Sequence, residues 1–268
     1  MPLVRRLRRL LRSRSRPGTL HVLPAFQSPE LGNARDVFVY LPPDYDDEVR
    51  RYPVIYMQDG QNLFDTGTAF GRPWHVEDAV IAAARLGRPA IVVGVANAGA
   101  ERIAEYSPFP DEQHGGGRAD RYLDFLVDRL KPVIDQSFRT LREPRDTGIA
   151  GSSMGGLVSL YAAFTRPGTF GFAAVLSPSL WFAHLAIFGV VRERLAALGS
   201  ARPRIYLDSG AREGERTLDH ARSLRDLLLA GGYRLGVDLR WAEDVKGAHE
   251  EGAWGRRFRK ALPALLAA

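Results

Sequence analysis

Short apolar runs alternate along this chain with longer stretches whose apolar positions recur at helical spacing. The runs predict strands at Leu20–Phe26, Asp36–Leu41, Val54–Met57, Ala90–Val95, Thr147–Ala150, Phe172–Leu176, Arg204–Leu207 and Leu235–Trp241. The longer stretches predict helices at His75–Leu86, Ala119–Gln136, Met154–Thr165, Gly189–Leu198, Thr217–Ala230 and Glu250–Leu266. The first two strands are joined by the turn-rich "QSPELGNAR", as in a hairpin. Later strands are separated by helices, as parallel crossovers require. The pattern therefore predicts an α/β fold: a mostly parallel eight-stranded sheet with an antiparallel N-terminal meander and helices on both faces. The Pro- and Gly-rich stretch Ser107–Gly117 reads as a loop within it.

Charge changes the picture only at the N-terminus. The net charge is +6, but residues 1–16, "MPLVRRLRRLLRSRSR", hold seven arginines and no acid, so the rest carries −1. A nearly neutral body argues against a nucleic-acid footprint. Residues 1–18 read as a basic tail and 19–268 as one domain. Leu3, Leu7, Leu10 and Leu11 lie opposite the arginines at helical spacing, which suits weak contact with an anionic membrane surface. The tail lacks the uninterrupted apolar core of a secretory signal, and no stretch reaches transmembrane length. The chain has no cysteine, which excludes disulfides and thiol chemistry and fits a cytoplasmic setting.

Candidate chemistry begins at "GIAGSSMGGLVSLYAAF". Gly151-Ser152-Ser153-Met154-Gly155 matches G-x-S-x-G with Ser153 central, between a predicted strand and a predicted helix. In such an elbow the serine hydroxyl projects above the sheet, and the glycines avoid collisions with neighbouring backbone. No lysine follows the glycines, so a phosphate-binding loop is disfavoured.

A serine needs a base, and the base needs a carboxylate to orient it. Of six histidines, His249 follows the last predicted strand, where a Ser–acid–His chain order delivers the base. His220 lies within an amphipathic helix pattern, and the others come earlier. Glu213, beyond the end of the strand "RIYLDSG", is the expected acid, with Asp208 and Glu215 as competitors. The amide of Met154 is one expected oxyanion donor. "HGGG" at His114–Gly117 follows no strand. The second donor is therefore expected at Gln61, after the strand in "YPVIYMQDGQNLF", with Gly60 permitting close approach.

Four stretches, "VFVYLPPDYDDEVRRYPVIYMQDGQNLFD", "IAEYSPFPD", "GIAGSSMGGLVSLYAAFTRPGTFGFAAVLSPSLWF" and "GAHEEGAW", together resemble the putative-esterase family of α/β hydrolases. That family holds siderophore (enterochelin-type) esterases, feruloyl and acetyl-xylan esterases and S-formylglutathione hydrolases, with mycolyltransferases as distant relatives. The resemblance runs from about Asn33 to Leu266. It implies Ser153 as nucleophile, His249 as base, Glu213 at the acid position and Gly60 and Gln61 in the oxyanion loop. It also implies that Trp181 lies beside the active site and that Glu105 and Tyr106 form its rim. Trp74, with these aromatics, would suit an aryl or cyclic substrate. The expected function is hydrolysis of a small-molecule carboxylic ester through a serine acyl-enzyme, without metal or cofactor. The alternatives are acyl transfer to a sugar or lipid alcohol by the same serine, and a non-catalytic binding module on a hydrolase fold.

Overall fold

Eight apolar runs pair into one sheet in the computed structural model, which describes residues 18–267 apart from 65, 66, 68, 70, 200 and 201. The strands are β1 (Thr19–Ser28), β2 (Asn33–Leu41), β3 (Val54–Gln58), β4 (Ile91–Val95), β5 (Thr147–Ser152), β6 (Phe172–Leu176), β7 (Arg204–Gly210) and β8 (Leu239–Asp244). Their spatial order is β1-β2-β4-β3-β5-β6-β7-β8. β2 runs antiparallel to β1 and β4, and every later pairing is parallel. The expected meander followed by a parallel series is therefore present. The expected tail helix falls in residues 1–17, outside the described residues.

Helices cover both faces because the central strands are apolar on both. All five residues of β3 are buried, as in a parallel strand sandwiched between helical layers. Its period of two divides the core: Val54 and Tyr56 join one cluster, Ile55 and Met57 the other. The first cluster lies under the helical run 119–137 (α2), α3 (Met154–Thr165), α4 (Ile187–Leu198) and α5 (Glu215–Ala230). The second lies under α1 (Val76–Arg85) and α6 (Glu251–Leu265), where Val80, Phe258 and Leu262 pack on Ile55, Met57 and Leu176.

Three local differences from the sequence reading have physical causes. β8 begins at Leu239 rather than Leu235, because Gly236 takes φ 81° and the Arg234 amide donates to the Asp238 carboxylate, closing a turn first. Run α2 contains a π-helical segment, Phe125–Leu130, just before Pro132, which has no N–H to give to an α-helical ladder. A short helix, Arg102–Tyr106, precedes the Pro- and Gly-rich stretch, and within that stretch Pro110–Asp111 pairs with Gly115–Gly116.

The β5–α3 junction tolerates no side chain at Gly151, where a Cβ would lie 2.7 Å from the Gly155 carbonyl carbon and 2.7 Å from Gln58 Cγ. Gly151→Ala is expected to lower unfolding free energy by about 1–3 kcal/mol through overpacking, seen as a lower urea midpoint with unchanged slope.

Candidate active site

The turn out of β5 is the site's strained element. Ser153 adopts φ 56° and ψ −124°, a conformation that L-residues avoid unless the surroundings impose it. Neighbouring backbone does so here: the Ser153 amide donates to the Leu176 carbonyl at the end of β6, and the Ser153 carbonyl accepts from the Ser179 amide. The chain then enters α3 at Met154, whose amide belongs to the first helical turn, where N–H groups have no intrahelical acceptor.

The Ser153 hydroxyl lies 3.0 Å from His249 Nε2 and 3.1 Å from the hydroxyl of Ser179. His249 Nδ1 lies 3.1 Å from Glu213 Oε2. Three segments far apart in sequence thus meet beyond the C-terminal ends of β5, β7 and β8, the end of a parallel sheet where ligands commonly bind. The imidazole is 41% exposed while the Glu213 side chain is fully buried, so the row runs from solvent into the protein. Trp254, on the first turns of α6, packs edge-on against the imidazole with centroids 4.8 Å apart.

Behind Glu213 is a hydrogen-bond hub that the sequence reading missed. Glu213 Oε1 accepts from the Ser177 hydroxyl (2.7 Å), the Gly210 amide (3.0 Å) and two nitrogens of Arg257 (3.1 Å each). The Ser177 hydroxyl also accepts from Arg257 (2.6 Å) and from the Trp254 indole (3.1 Å). One carboxylate oxygen is therefore saturated and the other is left to the imidazole. Burial raises the proton affinity of Glu213, but hydrogen bonds from His249 and Ser177 and the Arg257 charge outweigh it and hold the carboxyl below its usual range.

Asp208, the competing acid, lies deeper. Its side chain is fully buried, 3.2 Å from Arg257 Nε, and accepts from the Tyr206 hydroxyl (3.0 Å) and the Ser177 amide (3.2 Å). Burial pushes its carboxyl up to about 7 against the pull of Arg257. It holds the far side of the arginine that holds Glu213.

Ser153 and His249 open onto a cavity of about 430 Å3, also lined by Asp59, Gln61, Trp74, Asn97, Arg102 and Glu251. Gly60 has to be glycine, since a Cβ there would lie 2.5 Å from the Gly94 carbonyl carbon. The loop is pinned on its other side. Asp59 takes φ 56° and donates its amide to the Tyr106 hydroxyl (3.1 Å). Its carboxylate accepts two hydrogen bonds from Arg102 (2.7 and 2.8 Å) and one from Asn97 (2.7 Å). The Gln61 side chain accepts from the Asn97 amide (3.1 Å).

Three expected pocket residues lie elsewhere. Glu105 and Tyr106, expected on the rim, are fully buried. Glu105 is clamped by Arg35 (2.8 and 2.9 Å) and Asn33 (2.8 Å), because a carboxylate facing the core needs a cation beside it. Trp181 is 46% exposed and packs on His114, in a groove shared with Leu185, Arg216 and His220 rather than in the cavity of Ser153. Trp74 does line that cavity. Among the described residues no cluster of histidine and carboxylate side chains has the arrangement of a metal site, and no helix is long and apolar enough to cross a membrane.

The model of the family described as "Putative esterase" matches residues 28–265. The chain belongs to this family. This esterase is 28% identical to the Bacillus subtilis protein YbbA over 190 residues, 68% of this chain and 70% of that protein. It is 34% identical to the siderophore enterobactin esterase of Emericella nidulans over 110 residues, 40% of this chain and only 35% of that enzyme. Its fold is that of the BES protein from Bacillus cereus, with a TM-score of 0.75 at 22% identity over 94% of this chain and 95% of that one. Family and fold make the chain an ester hydrolase with an α/β-hydrolase fold.

Removing the buried guanidinium should be costly, since it would leave Asp208 and Glu213 facing each other. Arg257→Met is expected to destabilise the esterase by about 3–5 kcal/mol at pH 7. Without the cation both carboxyls bind protons more tightly folded than unfolded. The variant's deficit should therefore shrink as pH falls from 7 to 5, which denaturant titrations at both values would register.

Proposed function

We propose that this esterase hydrolyses carboxylic esters through an acyl-enzyme on Ser153. The observation that carries the reading is the continuous row Ser153–His249–Glu213, with contacts of 3.0 and 3.1 Å, starting from a serine in a strained turn. His249 Nε2 removes the hydroxyl proton as Ser153 Oγ attacks the ester carbonyl. Glu213 fixes the tautomer and stabilises the imidazolium that forms. The amides of Met154 and Gln61 hold the oxyanion, in a loop that Gly60 allows close to the sheet. His249 then protonates the departing alkoxide, and water repeats the sequence on the acyl-enzyme. The imidazole is 41% exposed, so the general base is open to solvent water, which supports the reading of hydrolysis over acyl transfer.

Ser153→Ala is expected to abolish labelling by a fluorophosphonate probe and to lower kcat for p-nitrophenyl esters by about 10⁴–10⁶. An unchanged rate in the folded variant would refute the assignment. Glu213→Gln should cost about 10⁴ in kcat, and Asp208→Asn much less. The reverse order would make Asp208 the acid. Because the Glu213 carboxyl sits below its usual range, it is ionised before the base titrates. The rate should therefore rise once with pH as the general base becomes available, and kcat measured from pH 5 to 8 checks this. Adding an acceptor alcohol should leave free acid as the main product.

A further inference from the structure

The charges around the catalytic cavity do not balance, and the imbalance bears on substrate choice. Asp59 and Arg102 line it as a matched pair: the guanidinium gives Nε and Nη2 to the two carboxylate oxygens. Burial works against the Arg102 charge, and Asp59 more than compensates, so the guanidinium charge is retained against its partner. Behind the imidazole, Glu213 and Arg257 cancel in the same way, with Asp208 beyond them. Glu251 is different. It is the first residue of α6 and lines the same cavity, but among the described residues it forms no ion pair. Its carboxyl is raised, first by burial and also by Asp59, while its own amide, His249 and Arg102 oppose the shift. The positive end of α6, the feature here that would otherwise attract an anion, is thus already covered by Glu251.

We infer that Glu251 is a specificity-determining residue that admits uncharged or cationic esters to the Ser153 cavity and rejects anionic ones. The inference rests on the serine-esterase reading above and goes beyond it by fixing the charge class of the substrate. A carboxylate or similar anion entering the cavity would meet the Glu251 carboxylate and no unpaired Lys or Arg among the described lining side chains. At the separations possible in a cavity of about 430 Å3, such repulsion corresponds to about tenfold in rate at moderate dielectric. Hydroxyl and amide groups would instead find acceptors in Asp59 and Glu251 and a donor in Asn97.

Two matched ester pairs test this, each comparing kcat/KM for a neutral ester with that for its anionic counterpart. One pair carries the charge on the acyl side (methyl succinyl against succinyl p-nitrophenyl esters), the other on the alcohol side. At low salt the neutral member of at least one pair should be favoured by about tenfold or more, mainly through KM, and 0.5 M NaCl should narrow the ratio. Glu251→Gln should reduce that ratio several-fold, and Glu251→Lys should invert it. Equal turnover within both pairs, or ratios unmoved by both substitutions, would overturn the inference. Fluorophosphonate labelling separates the two levels. If Ser153 labels and the ratios are flat, only the charge selection fails; if Ser153 does not label, the esterase reading fails and this inference with it.

Discussion

The arrangement depends on one carboxylate being held in a single orientation. Glu213 is buried and charged, and a buried charge persists only where hydrogen bonds and an opposite charge replace water. Ser177, the Gly210 amide and Arg257 converge on one oxygen, which leaves the second to hydrogen-bond His249 Nδ1. The direction of the imidazole, and with it the distance from Nε2 to Ser153, follows from that asymmetry. The clamp also spans the sheet: Ser177 follows β6, Gly210 ends β7, and Arg257 projects from α6.

Strain at Ser153, the proposed nucleophile, is the complementary constraint. A serine at φ 56° and ψ −124° persists only if neighbouring backbone over-determines it. The hydrogen bonds to Leu176 and from Ser179 do so, and the glycines at 151 and 155 let strand, turn and helix close to contact distance. The segment 177–179 after β6 therefore serves twice, bracing the proposed nucleophile through Ser179 and the proposed acid through Ser177. A shift of that loop would disturb both ends of the catalytic row together.

What the sequence made legible was the part written in local pattern. Strand and helix positions follow from periodicity, and the eight strands were recoverable to within a few residues. Ser153 and His249 stood out because G-x-S-x-G and a histidine after the last strand are one-dimensional signals. Glu213 was preferred to Asp208 because it lies beyond the strand in which Asp208 sits, and the geometry shows that it is the carboxylate facing the imidazole. Arg257, Ser177 and Ser179 carried no such signal: an arginine inside an amphipathic helix and serines in a loop are ordinary until folding points them at one carboxylate. "SPSLWF" drew attention through its tryptophan, yet its serines make the contacts. Glu105 and Tyr106 were expected at the rim because the resemblance marks the segment and not the direction of its side chains.

That last correction explains how the far wall of the cavity is kept rigid. Glu105, locked to Arg35 and Asn33 on β2, anchors the short helix Arg102–Tyr106 to the sheet. From the same helix, Tyr106 takes the Asp59 amide and Arg102 takes its carboxylate, while Asn97 ties Asp59 to the Gln61 side chain. The loop assigned to the oxyanion is thus supported from behind by the fully buried Glu105 and Tyr106 and from the cavity side by Arg102 and Asn97. Donors aimed at a developing charge help only if they need not reorganise when it appears. On that argument Glu105 and Tyr106 support the proposed catalysis by their burial, through the stiffness they lend to residues 59–61.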